Sequence, residues 1–209
     1  MLKRSFDVIV SGAALVCLSP VLLVVALAIR IGSRGPIVYR GQRVGRAGRL
    51  FRMWKFRTMV VNADVIGGPS TSDTDPRLTP IGLYLRKRKL DELPQLFNVL
   101  VGDMSLVGPR PEVQQYVAMY SAEERQILIV RPGITDFATL WNSDEGALLA
   151  TSQDPERTYL EQIRPTKVRL QLEYVRRRSF GTDLWILYET VLTIAGRRRP
   201  IPNLPKTAH

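Results

Sequence analysis

The sequence predicts an α-rich α/β fold: a single domain with a small β-hairpin or sheet, fused to an N-terminal membrane helix and carrying interfacial amphipathic helices. Three observations predict it. Residues 8–29 form an uncharged stretch of membrane length. Residues 37–56 hold two short β-rich runs on either side of a Gly-rich turn. From residue 80 to 195 the apolar residues recur mostly at helical spacing. The organisation expected is a membrane helix over 1–34, a domain over 35–200 and a loose tail over 201–209.

Composition narrows the chemistry. Thirty Lys and Arg against nineteen Asp and Glu leave a formal charge of +11 in 209 residues. Such a balance points to a polyanionic partner: nucleic acid, an anionic membrane surface or phosphorylated substrates. Cys17 is the only cysteine, so no intrachain disulfide forms and a reducing compartment is expected. The only histidine is His209. A His-based triad and a Cys/His zinc site are thereby excluded. Catalysis is left to carboxylates, Lys, Arg, hydroxyls and a hard metal with oxygen ligands.

In chain order, Ser19-Pro20 falls near the middle of the first apolar stretch. Proline removes an i→i−4 bond and clashes with the preceding turn, so the helix breaks or kinks there. Lys3 and Arg4 flank one side, Arg30 and Arg34 the other. This lacks the charge asymmetry of a simple span. A kinked span and a helix–break–helix entering and leaving by one face both fit. Residues 32–48 lack the Gly-Lys-Ser/Thr ending of a P-loop. They read instead as part of a hairpin: Ile37–Tyr39 as one strand, Leu50–Phe56 as the other, joined through Gly45–Gly48. Lys55-Phe56-Arg57-Thr58-Met59 places two cations around an aromatic. Residues 67–80 are a loop of a length that is usually functional when ordered. Gly82–Leu90 is a basic amphipathic segment suited to an anionic surface.

Asp91 and Glu92 follow that cation run and open a helix marked by Leu93, Leu96, Phe97, Leu100 and Val101, with Pro94 in its first turn. Negative charge and phosphate are both favoured at such an entrance. Alone, the two acids read first as a capped helix start with a solvated charge run, and only the rest of the chain shifts that balance. Pro109-Arg110-Pro111 is stiff and extended, which presents Arg110 in one direction; Arg131 also abuts a proline. Val113, Tyr116, Val117 and Tyr120 make a further helical stripe, and Ser121–Glu124 is a capping box opening the next helix. Residues 134–153 read as irregular. Asp154-Pro155-Glu156 restarts a helix that Pro165 interrupts. Thr166–Phe180 is a cationic helix with Val168, Leu172 and Val175 on one face. Asp183–Ala195 is too short to span a bilayer. With Trp185, Tyr188 and Arg197–Arg199 it suits an interfacial helix, and a core helix nearly as well.

Taken together, several pieces resemble the bacterial sugar transferases of the small monotopic phosphoglycosyl transferase type. They are the Ser19-Pro20 segment, Lys55–Met59, Asp75-Pro76-Arg77, Leu90-Asp91-Glu92-Leu93-Pro94-Gln95, Gly102–Pro111 and Arg131–Thr135, in the family's order over residues 1–136. The sequence has no multi-span region before these motifs and is expected to be the minimal catalytic form. The resemblance implies transfer of a sugar-1-phosphate from a UDP-sugar to a polyprenyl (undecaprenyl) phosphate, with release of UMP. It implies Mg²⁺ as cofactor and a re-entrant segment broken at Ser19-Pro20. The enzyme would sit on the cytoplasmic face of the bacterial inner membrane, against anionic headgroups. Downstream glycosyltransferases are further partners, and nucleic acid is not one.

Carried over residue by residue, Asp91 is the expected nucleophile and Glu92 its metal-binding partner, with both acids near the metal. Lys55, Arg110 and Arg131 are expected phosphate contacts, and Arg57, Thr79 and Arg88 complete the candidate substrate-binding set. A ping-pong route through a phosphosugar ester on Asp91 is expected, because a carboxylate among cations stays ionised near neutral pH. Residues 136–165, where the resemblance fades, are expected to contact the sugar. A membrane-anchored nucleic-acid binder and a non-enzymatic scaffold are the other readings. Both leave the adjacent acids and the proline-fixed arginines unexplained.

Overall fold

The computed structural model describes residues 2–197. The expected tail over 201–209, with Arg198 and Arg199, lies outside them. Helices α1 (Leu2–Cys17) and α2 (Ser19–Gly32) are bent against each other by 61°. Pro20 falls in the first turn of α2, where its missing N–H costs nothing. The Ser19 hydroxyl donates to the Val16 carbonyl at 2.7 Å, satisfying one acceptor near the break. No single helix among the described residues is long and apolar enough to cross a membrane, but the bent pair together has the length and composition. Ile9, Val16, Leu23, Val24, Leu27 and Ile31 are each more than half exposed.

The root of α1 is fastened to the domain by buried polar contacts. Asp7 accepts from the Ser105 hydroxyl at 2.8 Å and the Leu106 amide at 3.2 Å. Lys3 donates to the Val107 carbonyl at 3.0 Å and to Asp183 at 2.5 Å. Strands β1 (Val38–Val44) and β2 (Leu50–Phe56) form the expected antiparallel hairpin, in register from Val38 opposite Phe56 to Val44 opposite Leu50. The first strand runs five residues beyond Tyr39, because all seven residues of β2 find partners. The turn is made by Ala47 and Gly48, both at positive φ.

After the short helix α3 (Ala63–Ile66) comes α4 (Pro80–Lys87), then a 3₁₀ turn over Leu90–Glu92 and α5 (Gln95–Val101). The helix expected from Leu93 therefore starts two residues later, with Asp91 and Glu92 in the turn ahead of it. Strands β3 (Ser105–Val107) and β4 (Gly133–Thr135) pair in parallel. Between them lie α6 (Gln114–Ala118) and a 3₁₀ helix over Glu124–Ile129. The capping box forms, with Glu124 N–H on Ser121 Oγ at 3.2 Å and Ser121 N–H on Glu124 Oε2 at 2.7 Å, but it opens 3₁₀ rather than α structure.

Residues 134–153 are not irregular. They contain the end of β4, α7 (Phe137–Trp141) and α8 (Glu145–Ala150), whose N-caps are Asp136 and Asp144. Pro165 does not interrupt its helix either. Helix α9 (Pro155–Thr158) passes through a π turn over Tyr159–Ile163 into α10 (Arg164–Arg177), with Pro165 in the first turn of α10. The π turn shifts the bonding register where the proline supplies no N–H. Helix α11 (Phe180–Ile194) buries Ile186 fully in the core, while Leu184, Trp185, Tyr188 and Val191 stay exposed. The main core gathers Met53, Leu96, Met104, Leu106, Phe137 and Tyr174 with Ile186, and the α1 side chains Phe6 and Val10 pack on it.

Candidate active site

Two loops and a strand meet at Asp91 and Glu92. Thr79 caps α4, accepting from Gly82 N–H at 3.0 Å and donating to the Thr58 carbonyl at 3.2 Å. Gly82 is required there, since a Cβ would lie 1.9 Å from the Thr58 oxygen. At the end of α4, Lys89 adopts a left-handed conformation (φ 56°) and turns the chain into the 3₁₀ turn that carries the two acids. Lys55, on β2 opposite Tyr39, approaches from the hairpin, and Arg110 from the loop after β3.

The two adjacent carboxylates have opposite surroundings. Glu92 is gripped: Arg110 Nη1 donates to its Oε2 at 3.0 Å, Arg110 Nη2 to its Oε1, and Lys55 Nζ to the same Oε1 at 3.0 Å. Burial works against its charge, but the Arg110 and Lys55 cations outweigh it and hold the carboxyl well below the usual range. Asp91 is only 5% exposed, and its carboxylate accepts no hydrogen bond among the described residues. Burial pushes its pKa up, Lys55 opposes that, and the neighbouring Glu92 charge adds to it. Desolvation exceeds the effect of the surrounding cations in setting the direction of that shift. Burial also lowers the Lys55 pKa, with Glu92 opposing and Arg110 reinforcing the shift.

Of the expected set, Lys55 and Arg110 join the acids. Arg57, Arg131 and Thr79 bond to backbone instead. Arg57 is buried and donates to the carbonyls of Pro36 (2.6 Å), Ser33 (3.0 Å) and Met59 (3.4 Å), tying the exit of α2 to the hairpin. Arg131 Nε closes the end of α5 on the Gly102 carbonyl at 2.9 Å. Arg88 is exposed and lies 5.3 Å over the Tyr84 ring. Ser19 and Pro20 stay at the bend between α1 and α2.

Sequence reasoning missed Arg86. It is half-buried, donates to the Thr71 carbonyl at 3.3 Å, and its charge acts on Asp91. The usable signal was its place one helical turn after Gly82 and next to Leu85, both on the buried face of α4. It also missed Asp136 and Gln171, the partners of the Arg110 backbone.

No group of three or more acidic, Cys or His side chains that could hold a metal exists among the described residues. Mg²⁺ does not need one, since it is commonly held by one or two carboxylates together with substrate phosphates and water. The unengaged Asp91 carboxylate fits that role. Glu92 fits it once Lys55 or Arg110 moves onto another anion.

The sequence model of the family described as "Bacterial sugar transferase" matches residues 1–197. The chain is 42% identical over 196 residues to the undecaprenyl-phosphate glucose phosphotransferase of Komagataeibacter xylinus, covering 90% of this chain and 35% of that protein. It is 36% identical over 196 residues to the UDP-N-acetylgalactosamine-undecaprenyl-phosphate N-acetylgalactosaminephosphotransferase of Aeromonas hydrophila, covering 92% and 43%. It is 35% identical over 204 residues to the exopolysaccharide production protein ExoY of Sinorhizobium fredii, covering 90% and 83%. The chain thus spans less than half of the first two relatives and most of the third.

Proposed function

The chain belongs to the bacterial sugar transferase family, and from that premise we propose that it moves a sugar-1-phosphate from a UDP-sugar to undecaprenyl phosphate and releases UMP. The relatives' names supply both substrate classes. The observation that carries the reading is the contrast between the adjacent acids. Asp91 accepts no hydrogen bond among the described residues, while Lys55 and Arg110 occupy Glu92. A free carboxylate among cations can attack phosphorus without a separate base.

In the first step an Asp91 Oδ bonds to the phosphorus that bears the sugar. The bond from that phosphorus to the bridging oxygen breaks, and UMP leaves with the electron pair. In the second step a phosphate oxygen of the lipid acceptor attacks the same phosphorus. The Asp91–phosphorus bond breaks and the carboxylate is restored. Lys55, Arg110 and Arg86 offset the charge that several phosphates bring together, which is most of what phosphoryl transfer asks of a protein. Asp91 and Glu92 would hold Mg²⁺, which when bound neutralises charge on the diphosphate and orients it.

A lipid acceptor accounts for the apolar exterior of α1 and α2. In this reading the pair enters and leaves the bacterial inner membrane by the cytoplasmic face, with the bend at its apex. The exposed face of α11, with Trp185 and Tyr188, then rests at the headgroups. The test is purified protein with Mg²⁺, undecaprenyl phosphate and a panel of UDP-sugars. UMP release dependent on the lipid over many turnovers supports the reading; UDP release, or no turnover with any sugar, counts against it.

A further inference from the structure

We propose that Asp136 and Gln171 are positioning residues that fix the backbone of Arg110, and through it the guanidinium beside Glu92. The inference rests on the reading of Arg110 as a cation of the transfer site. Pro109 and Pro111 have no N–H, so Arg110 carries the only backbone donor between Gly108 and Glu112. The β3–β4 ladder ends just short of it. Val107 opposite Thr135 is the last pair, the Gly108 amide donates to the Thr135 carbonyl (3.0 Å), the Gly133 amide reaches the Pro109 carbonyl (3.0 Å), and the chain after β4 turns into α7. The N–H and C=O of Arg110 therefore need partners from elsewhere.

Two fully buried side chains supply them. Asp136 Oδ2 accepts from the Arg110 amide at 3.2 Å, and Gln171 Nε2 donates to the Arg110 carbonyl at 3.2 Å. Asp136 cannot turn freely, because its Oδ1 accepts from the amide and hydroxyl of Thr139 at 2.7 and 2.9 Å as the N-cap of α7. Gln171 stands in the middle of α10, which packs on α7. The rigid prolines, the cap and the α10 amide together leave the Arg110 side chain to swing from a fixed base. A catalytic donor displaced by about 1 Å loses much of its effect.

Asp136→Asn separates this role from folding. Asparagine is a good N-cap and keeps Oδ1 for Thr139, but it presents an amide N–H to the Arg110 N–H. Hydrogen exchange over residues 108–112 should then show one faster amide, since the two prolines contribute none. UMP release should fall by about 10-fold or more in kcat/KM, with the thermal midpoint near that of the parent. In an Arg110→Lys background the same change should cost less than about 2-fold, because it acts through Arg110. Gln171→Met should follow the same pattern. An equal fold-loss in both backgrounds, or an unchanged rate in Asp136→Asn, overturns the proposal. Should the parent release no UMP, the transfer reading falls by itself. The positioning claim is then decided by exchange alone, and an unprotected Arg110 amide in the parent refutes it.

Discussion

Asp91 is the least comfortable group in the site and the one the chemistry needs most. Its raised pKa reflects desolvation first, with Lys55 opposing and Glu92 reinforcing. Attack requires the ionised form, so kcat/KM should decline as pH falls, with a midpoint above the value of about 3.9 for an exposed aspartate. Lys55→Met removes the opposing charge and should move that limb to higher pH. Glu92→Gln removes the reinforcing one and should move it lower; pH–rate profiles of the three proteins check the signs. Stability follows the same logic. A raised Asp91 pKa contributes stability only at low pH and loses it as pH rises through the folded value. Asp91→Asn should therefore abolish turnover yet raise the melting temperature at neutral pH. Glu92 is the reverse: its depressed pKa stabilises above its ordinary value and is lost as pH falls. Glu92→Gln leaves Lys55 and Arg110 unmatched and should cost on the order of 1–3 kcal/mol at neutral pH, measured by denaturant unfolding in detergent.

Among the elements, α4 shows how local sequence sets the site. Gly82 lets the helix lie against Thr58, which places the following turn and its two acids. Gly82→Ala forces a Cβ to 1.9 Å from the Thr58 oxygen. A loss of about 1–3 kcal/mol, with a larger fractional loss of activity, is expected from paired melting and rate measurements. The hairpin, the bend at Pro20 and the Asp91-Glu92 turn were legible because each rests on local signals: alternation, proline, adjacent acids at a helix start. Helices α7 and α8 were not, since five and six residues are too few to display a period. Their N-caps Asp136 and Asp144 were the only trace. Arg86 could not be told from Arg88 without the phase of α4. The contacts of Arg110 with Asp136 and Gln171 join residues 26 and 61 positions apart, beyond any local pattern.

For the whole molecule, the formal charge of +11 and the apolar exterior of the bent pair are both compatible with the proposed placement at an anionic membrane surface. Lys3 and Asp7 lock the root of α1 to β3, so the bent helix pair and the loop bearing Arg110 share one base. Tags at the two ends of a re-entrant chain should both be cytoplasmic, and Pro20→Ala should push the segment toward crossing; a periplasmic amino terminus in the parent would defeat that arrangement. The central claim, that Asp91 carries the phosphosugar, is tested most directly by incubating the purified protein with Mg²⁺ and the UDP-sugar it uses, without lipid acceptor, and recording its intact mass. The account predicts a mass gain of one phosphosugar on Asp91 with matching UMP, absent in Asp91→Asn. An unmodified parent that releases UMP only once undecaprenyl phosphate is added would contradict it and favour direct attack by the lipid phosphate.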